Sequence, residues 1–345
     1  MSAPNAAAEG EIIERADQHA EPRSLEIALL VLLAVLWGIP FALTKLTLQT
    51  IPPFTAVTAR VALAAATLWV IVLASGSRIP TDATFIRRLS IQALVGCLIP
   101  YMLVTLGQQS VASGLAAVLN STSPLFVCVI TLAWTRHEST SFLRILGVTV
   151  GLGGAVTMAG AGALNGLARE VLGQSLILAA TVSLAVGAIH ARRFDHVAPE
   201  VTAAGMLTSS AVMLVPLCLL IEGPLRSTPS AGSLTALLVQ AVVSTAFGFA
   251  LYFRLTRTIG SMGTATVGYL KPGVGVFIGC AVMGEPFTWT LGLGLIAVVL
   301  GVAAITWRGQ KPQSRTHVIR SLAAPYALLR HVLRRPVPFP NAANG

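Results

Sequence analysis

Ten apolar runs, each close to 20 residues long and parted by short gaps, fill most of this 345-residue chain. A helix that crosses a bilayer needs roughly 20 mostly apolar residues to cover the hydrocarbon layer. The runs predict spanning helices over 27–46, 54–75, 89–107, 111–134, 143–161, 171–191, 201–221, 234–253, 262–283 and 289–307. The run 143–161, rich in glycine, is the weakest of the ten. Several gaps are only a few residues long, which makes consecutive helices antiparallel neighbours in one bundle. Composition leads to the same place. The chain is 54% hydrophobic and 10% charged, whereas a soluble domain carries roughly 25% charged residues. Its outer surface must face lipid. The expected fold class is all-α, a polytopic membrane protein.

The formal net charge of +10 does not mark a nucleic-acid binder, because the arginines lie in short gaps between apolar runs. It is a topology signal. With a cytoplasmic N-terminus, eighteen of the 23 Lys and Arg fall in cytoplasmic segments, and only Lys45, Arg169 and Arg226 fall outside. Arg60 and Lys271 lie within helices. Both termini are therefore expected in the cytoplasm, which requires an even number of spans. The polar, acidic stretch 1–24 precedes the first helix, which is too long for a signal-peptide core. Residues 308–345 form a basic tail. A surface segment on anionic lipid and a disordered tail are both open readings for it.

The second half echoes the first. A shift of 148 residues, from Gln92 to Gln240, also pairs Ala93 with Ala241, Leu103 with Leu251, Ser113 with Ser261, Ala117 with Ala265 and Pro124 with Pro272. A one-residue slip then pairs Glu138 with Glu285. Two repeats follow, 27–161 and 171–307. Each holds five helices, an odd number, so the halves cross the membrane in opposite senses. Inverted repeats of this kind are the architecture of many secondary transporters, with the solute site near the midplane where the halves meet.

Lys271 is the most informative single residue. It lies within the run 262–283, on the order of 14–18 Å from either end at 1.5 Å per residue. Placing such a residue in mid-helix costs about 2.5–3.5 kcal/mol, so it should face a cavity or a partner. No acid shares its depth. Either it meets an anionic solute, or backbone carbonyls and water cap it. Pro272 frees the carbonyl of Gly268, and Pro124 does the same to Asn120 at the matched position of helix 4. These breaks either open a site or only kink two packed helices. Asn120, Ser121, Thr122 and Ser123 form a polar cluster that either binds solute or bridges helices. Arg60 is shallower, roughly 9 Å from the end of its helix, where a structural role is the default. Trp37, Tyr101 and Tyr269 are candidates for a cavity wall, with core packing as the competing reading. Glu285 and Glu138 look like helix-junction residues, with a gating role as the alternative. Gly275 and Gly279, four apart, permit close helix approach. Cys97, Cys128, Cys218 and Cys280 each sit in a separate run, as packing residues would. His190, Asp195 and His196 straddle Arg192 and Arg193, which disfavours a metal site. No nucleotide-binding loop and no catalytic motif is present, so the sequence calls for no metal, no cofactor, no ATP and no enzyme activity.

Several landmarks resemble a known family. Trp37-Gly38-Ile39-Pro40-Phe41, Pro53 with Arg60, and Tyr269-Leu270-Lys271-Pro272 followed by Gly284-Glu285-Pro286 are similar to signatures of EamA-type members of the drug/metabolite transporter superfamily. Ser123-Pro124 followed by Arg136-His137-Glu138 resembles a degraded copy in the first repeat. The resemblance covers 27–307. It implies two five-helix repeats in the cell (inner) membrane and export or import of a small organic metabolite by alternating access, with export favoured. It does not name the solute, and Lys271 departs from the carboxylate or small residue of many relatives. A lone lysine favours an amino acid or another carboxylate-bearing solute. Efflux of cationic drugs, or a scaffold or receptor that has lost transport, are the alternatives. Expected partners are the solute and membrane lipid, with no nucleic acid, in a monomer or homodimer.

Overall fold

A computed structural model describes residues 23–134, 142–164, 168–194, 196–223, 228–259, 263–264 and 266–307. The terminal tails, Arg136, His137, Glu138, Asp195 and Arg226 lie outside the described residues. The described chain is helical and has no strand. Seven helices are long and apolar enough to cross a membrane: α1 (Ser24–Thr47), α2 (Pro53–Ser75), α3 (Ala83–Gly107), α4 (Ser113–Ala133), α6 (Ala168–Phe194), α7 (Pro199–Ile221) and α8 (Ala231–Thr256). Three further apolar helices are α5 (Phe142–Leu164), α9 (Val267–Ala281) and α10 (Trp289–Trp307). Each apolar run of the sequence is matched by helix among the described residues. Large apolar side chains stand on the outside, with Leu220 at 83%, Leu73 at 72% and Trp289 at 85% exposure. Water would penalise such a surface. Lipid does not, and the chain is a multi-pass membrane protein.

Packing between the halves is symmetric. Helix α1 packs on α8 and α9, and its counterpart α6 packs on α3 and α4. Helix α2 packs on α8, and α7 on α3. The counterparts α2 and α7 pack on each other, as do α4 and α9. Helices α5 and α10 meet at glycines, where a Cβ added at Gly147 would lie 2.7 Å from the carbonyl oxygen of Gly301. Each of these contacts has its twin, as a two-fold relation between the halves produces.

Hydrogen bonds fix which connections share an end of the bundle. Thr50 in the α1–α2 connection accepts from the Ser230 amide before α8. Ser110 between α3 and α4 donates to the Arg169 carbonyl at the start of α6. At the other end, Thr258 after α8 donates to Glu26 at the start of α1, and Ser77 after α2 donates to Glu200 at the start of α7. These links join odd-numbered connections to odd and even to even, as strictly alternating helices require.

Two departures from straight helix recur at matched places. Helix α3 contains a π-helical stretch, Leu94–Leu98, and α8 contains another, Val239–Phe247. A π turn shifts the backbone register and leaves carbonyls for outside donors. Ser183 of α6 donates to the Val95 carbonyl at 2.8 Å, and Ser210 of α7 donates to that of Ala93 at 3.2 Å. In α8, Thr245 donates to the Gln240 carbonyl five residues back. All four cysteines are free thiols, Cys97 and Cys218 buried and Cys128 and Cys280 half-buried.

Candidate functional site

The proline-bearing helices α4 and α9 meet where the repeat places their prolines. Helix α4 breaks into Ser113–Asn120 and Ser123–Trp134, because Pro124 cannot bond to the Asn120 carbonyl. The hydroxyls of Ser121 and Thr122 turn back onto the carbonyls of Ala117 and Leu119 at 2.8 and 2.7 Å. Thr122 also donates to Thr181 of α6 at 3.4 Å. Within the polar cluster these two are backbone satisfiers, which leaves Asn120 and Ser123. Pro272 lies inside α9, which continues through it. A Cβ added at Gly268, one turn before Pro272, would meet nothing within 4 Å.

Lys271 reaches across this junction. Its Nζ donates to Asn120 Oδ1 at 2.8 Å and lies 5.7 Å from the ring centroid of Phe41 on α1. An ammonium has three donors, and among the described residues Asn120 is the one hydrogen-bond acceptor it finds. A hydrogen bond from a charged group contributes about 1.5–3 kcal/mol. A ring near the 6 Å limit adds about 0.5–1 kcal/mol. Together these offset the roughly 2.5–3.5 kcal/mol cost of placing a lysine in a membrane helix, and they leave the charge itself unopposed. The lysine is half-buried. It stands nearer one end than the run length predicts, since α9 starts at Val267 and places Lys271 about 6 Å along it.

The other candidates fall into separate groups. Arg60 is held on two sides, its guanidinium carbon 4.4 Å from the Tyr101 ring centroid and its Nε donating to Thr245 in the α8 π stretch at 3.1 Å. Trp37 stacks on Tyr252 at 5.3 Å and meets Phe249 edge-on at 6.1 Å. The structure therefore joins Trp37 and Tyr101 to α8 and α2 rather than to Lys271. Tyr269 packs half-buried against the cluster that contains Phe41 and Ala117. Ser123 is half-buried at the head of the second half of α4. Glu285 accepts from the backbone amides of Ser113 and Gly114, at 2.6 and 2.9 Å. His190 meets Gln92 at 3.0 Å, and the described residues hold no cluster of three metal-ligating side chains.

Sequence reading missed Phe41 as the ring beside Lys271 and Thr245 as the partner of Arg60. It also missed Gln240, which donates to the Pro40 carbonyl and to Thr44 at 3.0 and 2.6 Å. The pairing of Gln92 with Gln240 across the repeats was the available signal, because glutamine inside a membrane helix needs a partner. A cavity of about 450 Å³ opens at the end of the bundle, lined by Lys45, Gln49, Thr50, Pro53, Gln108 and Gln109 among others. Gln108 ties it to the site by donating to the Phe41 carbonyl at 2.8 Å.

Comparison with known proteins agrees with this geometry. The sequence profile described as the EamA-like transporter family matches residues 24–160 and again 171–307, one match for each half of the bundle. The uncharacterized inner membrane transporter YedA of Escherichia coli (strain K12) is 26% identical over 280 residues, covering 79% of this chain and 88% of that protein. The uncharacterized transporter YvbV of Bacillus subtilis (strain 168) is 23% identical over 304 residues, covering 88% and 98%. A solved crystal structure superposes with a TM-score of 0.60 at 19% identity, covering 81% of this chain and 98% of that one, and so shares the fold. With one family match on each half of a symmetric helical bundle, the chain belongs to the EamA-like transporter family of the drug/metabolite transporter superfamily.

Proposed function

We propose that this protein is a secondary transporter that exports a small organic solute bearing a carboxylate, an amino acid being the favoured class. One observation carries the reading. Lys271 sits where α1, α4 and α9 meet, and its described partners are a neutral amide and an aromatic ring. A carboxylate that displaces the Asn120 oxygen replaces a contact between charge and dipole with an ion pair, whose attraction is stronger in a low-dielectric setting than in water. The two repeats then alternate around this point, each half exposing it to one side of the membrane. The excess of arginine on the even-numbered connections and tails supports a topology of ten spans with both termini in the cytoplasm.

A second reading rests on a different observation. Trp37, Phe249 and Tyr252 form a continuous aromatic cluster, which suits a cationic amphipathic compound. A thermal-shift screen of the purified protein separates the two. Amino acids and organic acids should stabilise it, and Lys271→Met should abolish that shift along with uptake of the stabilising acid into proteoliposomes. Stabilisation by cationic drugs alone would overturn the carboxylate reading, and absence of flux for every class would favour a scaffold.

A further inference from the structure

The first half of α4, Ser113–Asn120, is fastened to the α9 segment at three levels. At its C-terminal end Asn120 accepts from Lys271. In the middle Ala117 lies so close to Gly275 that any Cβ on Gly275 would collide with it. At its N-terminal end the Glu285 carboxylate accepts from the Ser113 and Gly114 amides. The contacts step by three or four residues on both strands of the pair, 113/114, 117 and 120 against 279, 275 and 271, as one antiparallel helix seam does.

Local sequence is shaped for the last of these contacts. Gly284 has φ +68°, a left-handed turn that favours glycine and precedes Glu285. A Cβ on Gly279 would lie 2.5 Å from Glu285 Oε2 and 3.1 Å from the Gly114 nitrogen, so Gly279 keeps that space open for the carboxylate. The Gly-Glu-Pro triplet and Gly279 thus act together. The orphan amides at the start of a helix, and the positive end of its dipole, favour an anion there.

Beyond the Lys271–Asn120 contact the seam ends. Among the described residues, α9 packs along the first half of α4 and shows no comparable packing on the second half. Gly268, on the opening turn of α9, faces open space. The two helices are closed at the end that carries the α3–α4 and α9–α10 connections, and they part toward the other end.

We propose that Glu285 is a positioning residue for transport: its carboxylate latches the first half of α4 onto α9, and the latch must release for that end of the bundle to open. The latch needs no solute, so its failure and that of the carboxylate reading are separate events.

Ser113 supplies the probe. Its side chain is fully buried beside Gly279, and cysteine is nearly isosteric with it. The experiment compares Ser113→Cys alone, with Glu285→Gln and with Gly279→Ala, measuring maleimide labelling in proteoliposomes above the same protein without the new cysteine. Glu285→Gln should raise the labelling rate about five-fold or more, the equilibrium factor that one helix cap is worth. Gly279→Ala should do the same while keeping the charge, because its methyl displaces the carboxylate; it stands in if the first variant does not fold. Glu222→Gln, which loosens the cap on α2, should leave Ser113→Cys labelling unchanged. Equal labelling in all four proteins overturns the proposal, as does an increase with Glu222→Gln of the same size.

Discussion

Helices α4 and α9 carry proline at matched positions of an inverted repeat and respond in opposite ways. In α4 the chain breaks into two helices, and Ser121 and Thr122 close their hydroxyls on nearby carbonyls. In α9 the helix runs through Pro272 without a break, flanked by Lys271 and Gly273. Proline sets where the backbone weakens. The neighbouring side chains decide whether it parts, since hydroxyls offer a local alternative to the helix ladder and lysine offers none. The broken helix presents an acceptor, Asn120, and the unbroken one presents the donor. The two repeats thereby supply opposite halves of one hydrogen bond.

The largest effect should come from making the halves more alike in strength. Asn120→Asp places a carboxylate at the acceptor, where it should hold Lys271 and exclude an anionic solute. Uptake should drop by about 100-fold, a loss of roughly 2.7 kcal/mol, with thermal stability kept or raised; retained uptake would separate Lys271 from the solute. Next, Gly275→Val should overpack the seam against Ala117, at a cost of about 1–3 kcal/mol, read as a lower unfolding midpoint in detergent. Thr122→Val tests the hydroxyls that make the break. It removes bonds to Leu119 and Thr181 and should cost about 1 kcal/mol, whereas no such hydroxyl exists in α9 to remove. Smallest is Gly273→Ala. Its Cβ meets nothing within 4 Å, so stability should stay within about 0.5 kcal/mol. A large loss there would mean that α9 depends on the small residue beside Pro272 as much as α4 depends on its break.

Much of this was legible in the chain. Hydropathy located the helices, because lipid tolerates little else, and Pro124 with Pro272 located the paired weak points. Lys271 stood out because a cation deep in an apolar run needs a cavity or a partner. Other features had no local signal. Phe41 stands out only as the last residue of the Trp37–Phe41 signature, and the crossing of α1 over α9 is what brings its ring beside Lys271. The π stretches in α3 and α8 depend on donors from α6 and α7 and on a threonine five residues along. Glu222 reads as an ordinary loop acid. Its role appears only when α7 ends beside the start of α2, where its oxygens accept from the Phe54 and Thr55 amides at 2.8 and 2.7 Å. Lys271 itself lies closer to one end of its helix than the apolar run implies, because hydropathy extends past the point where the helix starts.

The α2–α7 pair has one more consequence. It crosses between the halves and is tied at both extremities, by Glu222 on the first amides of α2 and by Ser77 on Glu200. Two rods pinned at top and bottom cannot slide past one another, but they can still turn as a unit.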